Sequence, residues 1–220
     1  SEISYLIIGM LQDDKSDGSG KAGLTFQFDW SASNYESGSA LTDSFKLNGN
    51  DSNAGGWAAS ELRQSMNSGE IWQLIPEDMQ AAIVEVSKST NNAGGGAAAK
   101  ISRTNDKLWL PSLSEYVPAE LLSPSYSLSP SLAGEGSQYG LYQMMLHLND
   151  QDETAPGIGS CLYYDHDGFI GVEPFKELAP DYVWLRSVYV EGADGSDSGD
   201  SFFAINPKTG QITDAATAST

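Results

Sequence analysis

Covalent and metal chemistry needs particular side chains at short spacing, and this chain carries few of them. Its two histidines, His147 and His166, stand far apart, and neither is embedded in a motif. A triad of His166 with a serine and an aspartate can be drawn, but Ser and Asp are so abundant that the choice discriminates nothing. The single cysteine, Cys161, has no partner for an intramolecular disulfide, and one Cys with two scattered His does not make a zinc site. Its neighbours Leu162, Tyr163 and Tyr164 read as a strand that buries it as a small hydrophobe. Enzyme chemistry is not expected.

Hard oxygen is plentiful instead. Glu191, Asp194, Asp197 and Asp200 share one Gly/Ser loop, and Asn149, Asp150, Asp152 and Glu153 form a second acidic group. Calcium takes such ligands, so calcium at Asp194, Asp197 and Asp200 is the one cofactor to weigh. Charged Gly/Ser loops are common as solvated surface, and that reading outweighs the metal. Asp13, Asp14 and Asp17 precede Gly18, but an EF-hand counted from Asp13 meets Lys15 at its third position, so a plain turn is expected. Gly94-Gly95-Gly96 fails as a phosphate loop, with no strand read closely before it and no Gly-Lys-Ser/Thr opening a helix after it.

Recognition chemistry is the better match. Tyr189 beside a Gly/Ser-rich stretch has the composition of a paratope, where Tyr supplies rigid contact area and Ser and Gly adapt. The candidate ligand-binding set, which rests largely on a family resemblance, is Tyr189, Glu191, Asp194, Asp197, Ser201, Phe203 and Lys208, on the Tyr189–Ser201 loop and the Pro207–Gly210 turn. Alternation predicts that one of Phe202 and Phe203 is buried and the other exposed. Trp57, Trp109 and Trp184 are expected in the core. Arg63 is expected to pack its stem and send its head to a carboxylate, and Arg186 to form an internal hydrogen-bonded pair with a carboxylate.

Charge narrows the partners. The chain has 30 acidic against 11 basic residues, a net charge of -19. Affinity for nucleic acid rests on Lys and Arg displacing counterions, so nucleic acid and anionic lipid are poor partners. No apolar run approaches the length of a membrane span, so direct membrane insertion is not expected.

The elements that must hold these residues are those of a single α+β domain over residues 1–220, with long loops near 31–53, 87–100 and 117–132. Ile3–Gly9 reads as a buried strand and Leu24–Phe28 as a half-buried one. Ala58, Leu62 and Met66 fall on one face of a helix over residues 58–67. Met79, Ala82, Ile83 and Val86 recur at helical spacing after Pro76, whose position and the acids Glu77 and Asp78 suit a first turn. Residues 87–99, polar and Gly-rich, read as a mobile loop. Asp106–Pro111 reads as a short strand ended by its proline, and Asp165–Gly168 as a tight turn between short strands.

Several blocks occur in order: IIGMLQDDKSDGSGKAGLTFQF, NAGGWAASELRQSMNSGEIWQLIPEDMQAAIVEVSKST, TNDKLWLPSLSEY, AGEGSQY, and VWLRS with SFFAINPKTGQIT. Together they resemble an uncharacterised bacterial domain family of prophage-type and surface-exposed proteins. Its closing segment is similar to C-type-lectin-like domains, including relatives of formylglycine-generating enzymes and phage receptor-binding proteins. The resemblance implies a C-type-lectin-like fold whose WLRS strand is structural and whose following residues face a ligand. The paired cysteines of the formylglycine-generating relatives are absent, so that activity does not carry over. Such domains often end in a further apolar strand beyond the segment matching Asp214–Thr220, where this sequence reads DAATAST. The expected role is a non-catalytic recognition domain, extracellular, at a cell surface or on a virion, binding a protein or glycan on a cell surface. The alternative is a structural virion or surface-layer subunit, a homo-oligomer built through contacts with its own copies.

Overall fold

The computed structural model describes residues 5–28, 46–116, 130–143, 163–164, 170–171, 183–191, 196–205 and 212–217. Strands β1 (Tyr5–Met10) and β2 (Leu24–Phe28) form an antiparallel pair. Four short helices follow: α1 (Gly56–Ala59), α2 (Glu61–Ser68), α3 (Glu70–Leu74) and α4 (Glu77–Ala82). Strands β3 (Val86–Asn91) and β4 (Ile101–Asp106) pair antiparallel, and short helices α5 (Leu113–Tyr116) and α6 (Pro130–Ala133) come next. A two-residue pair, β5 (Tyr163–Tyr164) with β6 (Ile170–Gly171), brackets the expected Asp165–Gly168 turn. The chain then forms a three-stranded antiparallel sheet of β7 (Val183–Glu191), β8 (Ser196–Ile205) and β9 (Ile212–Thr217). Mixed short helices and small antiparallel sheets make this an α+β protein, as expected.

The apolar core lies between the helices and the last sheet. Leu47, Trp57, Leu62, Ile71, Val188 and Phe202 are buried together, and Met66, Trp109 and Trp184 pack against them. The expected helix over 58–67 is two helices, because Ser60 is extended and caps the second one. Its hydroxyl accepts from the Arg63 amide at 3.2 Å and donates to the Trp57 carbonyl at 3.0 Å. The break turns Trp57 fully inward while Leu62 holds the core face of α2.

Other expectations are corrected, several of them by buried polar residues. The helix expected through Val86 stops at Ala82 and buries none of its residues, and Val86 instead opens β3. The loop expected near 87–100 is a strand up to Asn91, because Val86, Lys88 and Thr90 alternate inward, two of them polar and therefore silent in hydropathy. The strand expected at Asp106–Pro111 lies upstream, at Ile101–Asp106. Strand β2 keeps its expected bounds with its faces reversed: Thr25 is buried, while Leu24 and Phe26 are exposed. The Thr25 hydroxyl donates to Asp13 Oδ2 at 2.5 Å, which draws that face inward.

The Gly-rich segment after β3 is anchored rather than mobile. Gly94, Gly95 and Gly96 all have positive φ, and a Cβ on Gly94 would lie 1.8 Å from the Asn53 carbonyl oxygen. Asn53, fully buried, accepts from the Gly95 amide at 2.6 Å through Oδ1 and donates to the Ser201 carbonyl at 2.9 Å through Nδ2. A strand does closely precede these glycines, but β4 and no helix follows them, so no phosphate loop forms. Of the other expected loops, residues 31–45 and 117–129 lie outside the described residues.

Candidate functional site

The expected recognition stretch is mostly a hairpin. Glu191 pairs with Ser196 and Val190 with Asp197, so β8 begins inside what reads as an acidic loop, and only residues 192–195 separate the paired ends. Register is irregular twice, between Trp184 and Val188 and between Val188 and Val190. Extra residues in one strand break the inward–outward alternation. Leu185, Arg186, Ser187 and Val188 are therefore buried in succession, and Ser201, Phe202, Phe203 and Ala204 opposite them. The expectation that Phe202 or Phe203 is exposed is thus overturned: both are 0% exposed. Phe203, expected to meet ligand, instead takes the half-buried Tyr189 ring edge-on at 5.2 Å.

Ser201 is buried too, its hydroxyl donating to Asp200 Oδ1 at 2.7 Å, so it supports the hairpin from inside. Tyr189 and Asp200 are partly exposed, and Glu191 and Asp197 take their register positions toward the hairpin's end. Asp194 and Lys208 lie outside the described residues, as do His147, His166, Cys161 and the Asn149–Glu153 group. Among the described residues no group of three or more His, Cys, Asp or Glu is arranged to hold a metal. The calcium set at Asp194, Asp197 and Asp200 includes a residue beyond them.

The base of the hairpin is held by a polar cluster closed to solvent. Arg186 is 0% exposed and spends all five N–H donors. Nε donates to Thr90 Oγ1 at 2.8 Å, Nη1 to the Leu110 carbonyl at 2.8 Å and to Glu115 Oε2 at 2.5 Å. Nη2 donates to the Ser89 and Glu135 carbonyls at 3.3 and 2.8 Å. The expected carboxylate partner of Arg186 is therefore Glu115, on α5. Arg63 likewise meets its expected carboxylate, Asp106, at 2.6 Å, and Asp106 also accepts from Trp57 Nε1 at 3.1 Å and Thr104 Oγ1 at 2.6 Å.

Beside Arg186 sits a second buried cation, Lys88, 2.5 Å from Glu115 Oε1 and 2.6 Å from Asp13 Oδ1. The rings of Trp109 and Tyr139 close over its Nζ at 4.8 and 5.3 Å to their centroids. The Tyr139 hydroxyl reaches both Asp13 oxygens, at 3.1 and 3.3 Å. Glu135 accepts from the Asn91 amide at 2.8 Å and from the Ser187 hydroxyl. Burial would raise the Glu115 pKa, but the charges of Arg186 and Lys88 outweigh it and hold the group below its ordinary value. Glu135 goes the other way: burial pushes it up to about 7, against the Ser187 hydrogen bond and the Arg186 charge. Through Arg186, Lys88, Glu115 and Glu135, all buried, the cluster fastens β3, α5, β7 and the segment around Glu135 together.

Sequence reasoning identified Trp57, Arg63, Trp184 and Arg186 as structural, and missed Asp13, Lys88, Glu115, Glu135 and Tyr139. No local signal marks them, since each stands in a polar or Gly-containing run that reads as surface. Their one common trait is membership of the recognisable ordered blocks.

A family model described as "Domain of unknown function (DUF6273)" matches residues 36–208. The match takes in the helices, β3 to β8 and the Arg186 cluster, but neither Asp13 nor the β1–β2 pair. No curated protein and no solved structure matches the chain.

Proposed function

We propose that this chain, which belongs to the DUF6273 family, is a non-catalytic recognition domain with a C-type-lectin-like fold that binds a protein or glycan at a cell surface. The observation that carries the reading is the contrast along one hairpin. Its base, Leu185–Val188 and Ser201–Ala204, is entirely buried and cross-linked by hydrogen bonds, while its far end carries Tyr189, Glu191, Asp197 and Asp200 around residues 192–195. Binding residues held by a rigid base lose little entropy on contact, which is what a recognition loop needs. The recognition set becomes Tyr189, Glu191, Asp194, Asp197 and Asp200, with Phe203 and Ser201 as its support. The test is binding of the labelled chain to a glycan array and to intact cells after Tyr189, Glu191, Asp194 and Asp197 are replaced together by Ala. Loss of binding with an unchanged melting temperature is expected. Retained binding overturns the site.

A second reading, a structural virion or surface-layer subunit, draws on a different face. Ile7, Met10, Leu11, Leu24 and Phe26 are all 43–72% exposed on and beside the β1–β2 pair, with Ile7 opposite Phe26 and Met10 opposite Leu24. Contiguous exposed apolar residues favour contact with another copy of the chain. Light scattering separates the readings: large ordered assemblies that dissolve on Phe26→Ser favour the subunit, and a monomer favours the recognition domain.

A further inference from the structure

We propose that Lys88 and Asp13 join covalently, the Lys88 amine and the Asp13 side-chain carboxyl condensing to an isopeptide bond with Glu115 as the proton carrier. Three observations converge on it. The first is placement. Lys15 bridges Val86 antiparallel, and the Ser87 amide donates to the Asp14 carbonyl at 2.8 Å. Continuing that register sets Asp13 directly across from Lys88, with Nζ 2.6 Å from Oδ1. Amine and carboxyl are held in place by backbone on both sides, which removes the entropic barrier to their reaction.

The second is environment. Lys88, Asp13 and Glu115 are 4%, 6% and 3% exposed, and the Trp109 and Tyr139 rings face the nitrogen. Water, the product, is not at bulk concentration there, so hydrolysis does not oppose the bond as it does in solution.

The third is the division of roles between the two acids. Glu115 is committed elsewhere, its Oε2 held by Arg186 at 2.5 Å and by the Ser112 amide at 3.1 Å, which leaves Oε1, 2.5 Å from Lys88 Nζ, to take and return a proton. Asp13 meets hydroxyl donors: Thr25 Oγ1 at 2.5 Å on Oδ2, and Tyr139 Oη on both oxygens. Those donors stabilise the negative charge that develops on oxygen when Asp13 Cγ becomes tetrahedral. One proton passes from the Lys88 ammonium to Asp13 Oδ1, 2.6 Å away, and the free amine attacks Asp13 Cγ. The C–N bond forms, one Asp13 C–O bond breaks, and that oxygen leaves as water carrying two protons from the nitrogen, one of them relayed by Glu115. Ammonium and carboxylate become a neutral amide and water, with no cofactor and no change of oxidation state. The bond spans 75 positions and ties the β1–β2 turn to β3 in a chain with one cysteine and hence no internal disulfide.

The experiment is the intact mass of the folded, purified chain under denaturing conditions, followed by proteolysis and fragmentation. The expected result is a mass one water below that encoded, with Asp13 and Lys88 in one branched peptide. Lys88→Arg and Asp13→Ala are expected at their full encoded masses, as is Glu115→Gln. Asp13→Asn is expected to lose ammonia in place of water, because the leaving group changes. Wild-type protein at its full encoded mass overturns the proposal without reference to any variant, and so does a water deficit that persists in Lys88→Arg.

Discussion

Arg186 and Glu115, 71 positions apart, meet at 2.5 Å with the guanidinium wholly out of solvent. Removing one partner strands a buried charge. Arg186→Ala is expected to cost about 3–5 kcal/mol, or to prevent folding. Arg186→Lys keeps the charge but cannot reach the five acceptors, and should fall between the two. Urea denaturation midpoints of the three proteins check this ordering.

Stability should depend on pH through two carboxyls of opposite behaviour. The folded pKa of Glu135 is raised to about 7 from 4.5, so its contribution is complete below pH 4.5 and is lost as pH rises through 7. Glu115 is lowered, so its contribution is complete above its ordinary value and is lost as pH falls below it. A maximum near pH 4.5 is expected, with a loss on the order of 3 kcal/mol between about pH 4.5 and 7 from Glu135. Denaturation of Glu135→Gln should show that loss abolished. An equal slope in the variant would assign it to another group.

Asp106 gathers Trp57, Arg63 and Thr104 onto one buried carboxylate. In Asp106→Asn one oxygen becomes an NH2 group, which cannot accept from donors that both oxygens serve. A loss of about 1–3 kcal/mol is expected. Trp57 fluorescence should shift to the red as its ring loosens, while the double variant Asp106→Asn with Arg63→Met recovers part of the stability.

Where the sequence was legible, apolar periodicity or a strongly paired residue type carried the information. The β2 bounds, the Trp57 core position and the pairing of Arg63 and Arg186 with carboxylates, though not which ones, follow from such signals. Lys88 and Thr90 are not legible locally, because their inward alternation is written in polar residues, which hydropathy assigns to solvent. Spacing alone places Val86 in a helix, whereas it opens β3 and pairs with Asp106 of β4. Phe203 was misplaced because strict alternation assumes regular pairing, and the two register shifts of the β7–β8 hairpin violate it. Long-range polar contacts and bulges are decided by the assembled fold, so no local window reveals them.

The anchoring of the hairpin to the Gly-rich loop yields the last expectation. Gly18 and Gly94 both adopt positive φ, at 75° and 61°, but a Cβ on Gly18 meets nothing within 4 Å, whereas one on Gly94 would overlap the Asn53 carbonyl. Gly18→Ala thus reads the backbone cost alone, about 1–2 kcal/mol. Gly94→Ala adds a collision with backbone that cannot rotate away, and it pushes on Asn53, whose amide holds the Ser201 carbonyl of β8 and whose own N–H donates to Gly199 at 3.1 Å. The drop in melting temperature for Gly94→Ala should be at least about twice that for Gly18→Ala. Hydrogen exchange should quicken at Ser201 and its neighbours in the Gly94 variant only, because the damage travels through Asn53 to the base of the hairpin. Equal melting temperatures for the two variants would mean that the loop is not seated on Asn53 at all.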